Sequence, residues 1–156
     1  MPHTYDFPRS AVTVDAVIFK KKDDRLWILL IQRDRYPFEG MWALPGGFVE
    51  MEETLEESVA REVEEETGLN GLQFGQLYTF GDPGRDPRGR TITVVYCAMA
   101  SAGAQVKAGD DARSACWFEA GKLPDLAFDH ARIIQKAFER YAAGCLDSPV
   151  HPSKQP

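Results

Sequence analysis

Residues 47–69 read GFVEMEETLEESVAREVEEETGL, an acidic stretch whose spacing is typical of one helix and the loop before it. On a helix, Glu62, Glu65 and Glu66 occupy positions i, i+3 and i+4, so their side chains converge within one turn. Like charges this close repel each other, and the chain therefore needs a compensating cation. Hard carboxylate oxygens select Mg²⁺ or Mn²⁺. The stretch predicts a divalent metal site on a helix.

Acidic runs are most often solvated helix faces, and the angular positions of the residues distinguish the two interpretations. At about 100° per residue, Val59 and Val63 lie on one flank, and Glu62 and Glu66 project near that flank. Carboxylates beside a buried stripe lose hydration unless they gain a partner. The spacing therefore favours a functional role for this trio, whereas Glu64 points away and is interpreted as solvated.

The same stretch resembles the signature of the Nudix hydrolases, G-x5-E-x7-R-E-U-x-E-E-x-G-U, in which U is an apolar residue. Every fixed position is filled, by Gly47, Glu53, Arg61, Glu62, Val63, Glu65, Glu66, Gly68 and Leu69. Many relatives carry glycine just before the lone glutamate, where this chain has Glu52. We expect this departure to affect loop geometry and to have little effect on metal binding.

The resemblance covers the chain from about Val12 to Tyr141 and implies an α/β fold, a three-layer α/β/α sandwich around a mixed β-sheet. It also implies metal-dependent hydrolysis of a phosphoanhydride. Glu53 is expected to complete the acidic cluster from the loop side, and Arg61 to pair with and orient Glu53 or a neighbouring carboxylate. Glu65 is expected to act as ligand or base. The implied metal ligands are Gly47, through its carbonyl, and Glu62, Glu65 and Glu66.

A further acidic residue from a distant loop is often used by enzymes of this family as base or ligand. Asp111, which follows Asp110 in a loop before a predicted strand, is a candidate for this catalytic role. An adjacent Asp pair is also normal in a turn. Both interpretations remain open at this point.

Two loops are candidates for substrate binding: residues 33–40, RDRYPFEG, and residues 81–90, GDPGRDPRGR. Guanidinium groups are usual partners of phosphate, although the second loop fits an exposed turn equally well. Tyr36, Phe38 and Trp42 are able either to stack on adenine or to pack in the protein. The candidate substrate-binding residues are Arg33, Arg35, Tyr36, Arg85 and Arg88.

The composition limits the class of protein. A chain of 156 residues that is 44% hydrophobic is long enough for one sizeable core. The net charge of −6 gives no general attraction to nucleic acid. Three cysteines without a CxxC pair, and no long apolar run, predict a reduced cytoplasmic protein without a membrane partner. We predict an N-terminal arm over residues 1–10, a Nudix domain over 11–145 and a flexible tail over 146–156.

The coarse secondary structure follows from apolar periodicity and turn residues. The acidic helix is expected to begin after Thr54, an N-cap with Glu57 three residues on, and to stop before Gly68. Residues 45–47 are expected to form a loop. A final helix is predicted over about residues 129–143. Strands are predicted over residues 11–19, 26–31, 42–44, 72–80, 91–100 and 115–118.

Segments outside the signature, including RDRYPFEGMWALPGGFVEMEE and LAFDHARII, resemble the ADP-ribose pyrophosphatase branch of the family. This resemblance implies a Mg²⁺-dependent enzyme, frequently a homodimer, that cleaves ADP-ribose or a related nucleoside diphosphate to AMP and a phosphorylated sugar. One alternative is a nucleotide-sanitising enzyme acting on oxidised dNTPs. The other is a non-catalytic sensor of ADP-ribose or NAD metabolites. Sensors of this kind often have degraded signatures, whereas the signature of this chain is complete. They also carry an added DNA-binding domain, which is not expected here because little chain follows Tyr141.

Overall fold

The computed structural model of the chain describes residues 3–109 and 112–144, and these residues form one mixed β-sheet with two helices. The helices are α1 (Leu55–Thr67) and α2 (His130–Ala142). The strands are β1 (Ala11–Lys22), β2 (Arg25–Arg33), β3 (Trp42–Ala43), β4 (Gly46–Phe48), β5 (Gly75–Phe80), β6 (Thr91–Ala100) and β7 (Ala112–Glu119).

The sheet is built around the parallel pair β1 and β6, which runs in register from Ala11↔Thr91 to Lys20↔Ala100. The strand order is β3-β2-β1-β6-β5, with β4 paired to β1 and β7 paired to β2. All of these other pairs are antiparallel. The predicted mixed sheet is therefore confirmed.

The two faces of β1 explain the layers, because successive side chains of a strand point to opposite faces. Ile18 packs in a buried cluster with Val59 and Val63 of α1. The next residue, Phe19, packs on the other face in a cluster with Ile133 of α2. One helix thus covers each face of the sheet, which confirms the predicted α/β/α sandwich.

Both ends of α1 are fixed by the residues that the sequence indicates. The Thr54 hydroxyl accepts the backbone N–H of Glu57 at 3.2 Å, and the Glu57 carboxylate accepts the backbone N–H of Thr54 at 2.8 Å. Gly68 ends the helix with φ 73°, a left-handed conformation that glycine adopts without steric cost. These contacts hold the helix in one register, and with it the acidic side chains that it carries.

Replacing Thr54 with alanine should destabilise the protein by about 1 kcal/mol, because the N–H of Glu57 loses its acceptor at the start of α1. Urea unfolding followed by circular dichroism measures the change. Thr54→Ser keeps the hydroxyl and should stay close to the unchanged protein. Equal stabilities of the alanine and serine variants would show that the cap contributes nothing.

The predicted strands are all present, although β1, β2, β3, β5 and β7 differ from the predictions at their ends. Between the strands predicted over residues 11–19 and 26–31, the chain makes a two-residue hairpin turn at Asp23 and Asp24, both with positive φ. The strand predicted over residues 72–80 begins only at Gly75. Residues 46–48, part of which was expected to be loop, form β4 against β1. A side chain on Gly46 would overlap the Val14 carbonyl, so glycine permits this close pairing.

Among residues 3–109 and 112–144, neither helix combines the length and apolar character needed to cross a membrane. The tail predicted over residues 146–156 lies outside the described residues. The predicted domain boundaries therefore stay predictions.

Candidate active site

The acidic residues of α1 divide between the sheet side and solvent as the helical spacing predicts. Glu66 is only 7% exposed, and Glu62 is half-buried beside the buried Val63. Glu64 is exposed, and the side chain of Glu65 is 55% exposed at the outer edge. Two carboxylates thus border the buried stripe of the helix, where their charge is partly removed from water.

The glycine pair at the start of β4 contacts both of these carboxylates. The backbone N–H of Gly46 donates to Oε2 of Glu66 at 2.9 Å. A Cβ atom on Gly47 would overlap the carboxylate of Glu62. The absence of a side chain at Gly47 therefore leaves the space that the Glu62 carboxylate occupies.

Arg61 lies at the centre of the acidic cluster, as expected from the sequence. Its Nε and Nη2 donate to the two oxygens of Glu53 at 2.9 and 2.7 Å. Its Nη1 donates to Glu62 at 2.9 Å and to Glu65 at 3.2 Å. The hydrogen bonds from Arg61 to Glu53 lower the pKa of Glu53 to about 2, and the backbone N–H of Glu50 contributes further to this decrease. Arg61 therefore keeps Glu53 charged and fixed in position.

Glu62 differs from Glu53 although both contact Arg61. Burial raises the pKa of Glu62, and the hydrogen bond and charge of Arg61 oppose this only in part. The charge of Glu62 is therefore incompletely compensated, which distinguishes this carboxylate from the fully paired Glu53.

The donor set fits a hard divalent cation. No three acidic, histidine or cysteine side chains within the described part of the chain are already arranged around one ion. Arg61 supplies positive charge to the cluster. The half-buried carboxylate of Glu62, the buried carboxylate of Glu66 and the close backbone of Gly47 nevertheless provide the oxygen ligands that Mg²⁺ and Mn²⁺ prefer. These residues would hold such an ion, with Glu65 at its exposed side.

A cleft of about 430 Å³ joins the acidic cluster to two arginines, Arg33 and Arg88. The guanidinium of Arg33 lies 4.8 Å from the centre of the Phe128 ring, and its Nε donates to the Pro37 carbonyl at 2.7 Å. Burial, and then the charge of Arg88, lower the pKa of Arg33. Two guanidinium groups that repel each other in one cleft favour the binding of an anion between them.

Arg88 is held by aromatic rings as well as by charge. Its guanidinium carbon lies 4.8 Å from the Phe48 ring centre and 5.5 Å from that of Phe128. Its Nη2 donates to the buried carboxylate of Asp86 at 2.7 Å. The side chain is therefore oriented before any ligand arrives, which reduces the entropy lost on binding.

Arg85 comes from the same loop but has a different environment. Its Nε and Nη2 donate to both carboxylate oxygens of Asp129 at 2.9 and 2.7 Å, and its side chain is buried. This pair ties the loop of residues 81–90 to the start of α2. The geometry favours a structural role for Arg85, which the sequence alone did not separate from substrate contact.

The remaining candidates lie in varied positions. Arg35 lines the cleft and is exposed, and Tyr36 is 76% exposed. Phe38 packs on Phe128, and Trp42 packs on Phe118, which favours the packing interpretation of these two aromatic residues. Asp110 and Asp111 lie outside the described residues, so the catalytic role of Asp111 stays a prediction.

The sequence did not predict a buried polar group formed by Asp15, Thr93 and His130. Asp15 and His130 line a small cavity that Arg33 and Glu66 also line. The Thr93 hydroxyl donates to Asp15 Oδ2 at 2.6 Å, and His130 Nε2 lies 3.6 Å from Asp15 Oδ1. Asp15 is the one acidic residue of β1 and lies within its mainly apolar first part, which is the signal that the sequence offers. The partners are far apart in sequence, so only the fold brings them together.

His130 should make the stability of the protein depend on pH. Complete burial lowers its pKa, and the nearby Asp15 opposes this only in part. Below about pH 6.5 the unfolded chain takes up a proton that folded His130 does not, so the free energy of unfolding falls as pH falls. The contribution is at most about 1.4 kcal/mol per pH unit.

Urea unfolding of the unchanged protein and of His130→Asn at several pH values tests this dependence. Asparagine does not titrate, so the variant should lose less stability between about pH 7 and pH 5. Identical pH dependence of the two proteins would contradict the assignment to His130.

The cleft thus combines clustered carboxylates of one helix with guanidinium groups, an arrangement suited to a divalent ion and a phosphate group. The NUDIX domain family model matches residues 9–137. The chain belongs to the NUDIX family and is a hydrolase of phosphoanhydride bonds. Nudix ADP-ribose pyrophosphatases generally use divalent metals.

Three known proteins show the range of similarity. The chain is 48% identical to an ADP-ribose pyrophosphatase of Methanocaldococcus jannaschii, over 86% of this chain and 76% of that protein. It is 40% identical to the ADPR responsive transcriptional repressor NtrR of Acinetobacter baylyi, over 86% of this chain but only 56% of the repressor. The solved NUDIX domain of Shewanella oneidensis NrtR in complex with ADP ribose superposes with a TM-score of 0.81 at 38% identity. That superposition covers 88% of this chain and 94% of that domain.

Proposed function

We propose that this protein hydrolyses the diphosphate of ADP-ribose, or of a closely related nucleoside diphosphate linked to a sugar. The products are AMP and a phosphorylated sugar, and the cofactor is Mg²⁺ or Mn²⁺. The observation that carries the proposal is the meeting of Glu62, Glu66, Arg33 and Arg88 in one cleft. The similarity to an ADP-ribose pyrophosphatase supports this choice of substrate.

The residues of the chain divide the chemistry between them. A divalent ion, when bound, neutralises charge on the phosphoryl oxygens and lowers the pKa of bound water. Glu62, Glu66 and the Gly47 carbonyl would hold it, and Glu65 would serve as ligand or base. The oxygen of water forms a bond to phosphorus while the bridging P–O bond breaks, and the water proton passes to a carboxylate. Arg33 and Arg88, which line the same cleft, would bind phosphate oxygens of the substrate.

A substrate screen with product identification tests the proposal. The protein is incubated with Mg²⁺ and, separately, ADP-ribose, NADH, a nucleotide sugar, a dinucleoside polyphosphate or an oxidised dGTP. We expect AMP and ribose 5-phosphate from ADP-ribose at the highest kcat/KM of the set. Release of pyrophosphate from oxidised dGTP at a higher kcat/KM would replace the proposal with the sanitising alternative.

The similarity to a transcriptional repressor gives the second candidate, a sensor that binds ADP-ribose without cleaving it. The complete acidic signature of this chain favours the enzyme. Calorimetric titration with ADP-ribose, run beside the product assay, separates the two functions. Tight binding with intact ADP-ribose recovered in the presence of Mg²⁺ would favour the sensor.

Replacing Arg88 with alanine should raise KM for ADP-ribose about tenfold or more, since a charge-assisted hydrogen bond to phosphate contributes about 1.5–3 kcal/mol. Steady-state kinetics on ADP-ribose gives the change in KM and in kcat. Arg90→Ala is a matched control, because exposed Arg90 belongs to the same loop and donates to the Gly81 carbonyl. A KM of Arg88→Ala equal to that of the control would remove Arg88 from the substrate site.

A further inference from the structure

His130 is buried at the start of α2 and bonds to the backbone just before the glycine pair. Its Nδ1 accepts the backbone N–H of Leu44 at 2.9 Å, and only 3% of the residue is exposed. Leu44 follows directly after β3, where the chain leaves the edge of the sheet. The side chain of His130 therefore replaces the acceptor that a neighbouring strand would have supplied.

This bond requires one form of the imidazole. Because Leu44 N–H is a donor, Nδ1 of His130 must be unprotonated, and the proton of the neutral ring is on Nε2. Nε2 faces Oδ1 of Asp15 at 3.6 Å, while Oδ2 of Asp15 accepts the Thr93 hydroxyl at 2.6 Å. Thr93 thus fixes Asp15, and the charge of Asp15 favours the proton on the side of the ring that faces it.

The segment of residues 44–47 lies between this group and the acidic residues of α1. On one side a Cβ at Gly46 would come within 2.7 Å of Asp15 Oδ1. On the other side Gly46 N–H donates to Glu66 at 2.9 Å, and Gly47 lies directly against the Glu62 carboxylate. Its position along the β1 edge is set further by the bond from Ala16 N–H to the Pro45 carbonyl at 2.9 Å.

We propose that His130 is a positioning residue for hydrolysis, acting through Leu44 to hold the Gly46–Gly47 backbone against Glu66 and Glu62. The inference rests on the proposed hydrolysis of ADP-ribose. The proposed role needs no contact with the substrate, because buried His130 reaches the segment through its bond to Leu44. Losing its acceptor frees the Leu44 end of the segment, and the Gly46 contact to Glu66 weakens. Groups that orient metal ligands in this way typically contribute about 10–100-fold to activity or metal affinity.

Two substitutions separate positioning from simple packing. His130→Leu fills the space with an apolar side chain and removes the acceptor. His130→Asn places an amide oxygen near the position of Nδ1 and so keeps an acceptor for the N–H of Leu44. We expect kcat for ADP-ribose to fall about 10–100-fold in the leucine variant while KM changes less than about threefold. The asparagine variant should recover most of kcat.

Amide hydrogen exchange at Gly46, followed by NMR, gives a readout that does not depend on activity. Exchange should be faster in His130→Leu than in His130→Asn and in the unchanged protein. If the leucine variant does not fold by near-UV circular dichroism, the nitrogen shifts of His130 in the unchanged protein decide. A proton on Nε2 supports the inference, and a proton on Nδ1 overturns it.

A folded leucine variant with unchanged kcat would also overturn the inference, as would equal kcat losses in the two variants or unchanged Gly46 exchange. Failure of the proposed function would give a different experimental result. In that case the unchanged protein releases no AMP from ADP-ribose, while Gly46 exchange still reports whether His130 holds the segment.

Discussion

Glu66→Gln should lower kcat for ADP-ribose by about a thousandfold, equivalent to about 4 kcal/mol of transition-state stabilisation. The amide lacks the negative charge that holds a divalent cation. Its oxygen still accepts the N–H of Gly46, which donates to Glu66 at 2.9 Å in the unchanged protein. The fold should therefore persist while the metal site is lost. Steady-state kinetics with Mg²⁺, together with thermal unfolding, measures both effects.

Glu64→Gln is the matched control, because Glu64 lies on the same helix and its side chain is exposed to solvent. The control should keep the activity of the unchanged protein. If Glu66→Gln retained near-normal turnover, or if both variants lost activity equally, Glu66 would not be a principal metal ligand.

Arg61→Ala should lower kcat by about a hundredfold, because the arginine orients three carboxylates at once. Without it, Glu53, Glu62 and Glu65 repel each other with no internal counter-charge. The metal-free variant should therefore be less stable than the unchanged protein, and Mg²⁺ should raise its unfolding temperature by a larger amount. Kinetics and thermal unfolding with and without Mg²⁺ check these two results.

Arg132→Ala provides the comparison for a surface ion pair. Arg132 donates to Asp82 at 2.7 Å, but both side chains are largely exposed. Such pairs contribute little, so activity and stability should hardly change. If Arg61→Ala changed activity and stability as little as Arg132→Ala, Arg61 would be only a minor ion-pair residue.

The parts of the fold that follow local rules were predictable from the sequence. The capping box at Thr54 and the left-handed Gly68 set the ends of α1, and both signals lie within a few residues of the features they control. The division between buried Glu66 and exposed Glu64 followed from helical spacing in the same way. Local chemistry therefore placed the acidic half of the site.

The other half of the site depends on contacts between distant segments. The preference of Arg85 for Asp129 and the packing of Arg88 on Phe48 follow only from the way the loop of residues 81–90 lies on the sheet. The strand β4 was missed because its glycines resemble a loop, whereas close approach to β1 makes them extended. His130 carried no local signal that separated its bond to Leu44 from ordinary burial.

We propose that carboxylates from one helical turn hold a divalent ion beside the diphosphate. Anomalous diffraction from crystals soaked in Mn²⁺ and a non-hydrolysable ADP-ribose analogue would locate this ion. We predict one strong peak bounded by Glu62, Glu66 and the Gly47 carbonyl, in contact with the diphosphate of the analogue. A bound analogue with no peak between these residues, and with both carboxylates turned to solvent, would show that Glu62 and Glu66 are not metal ligands.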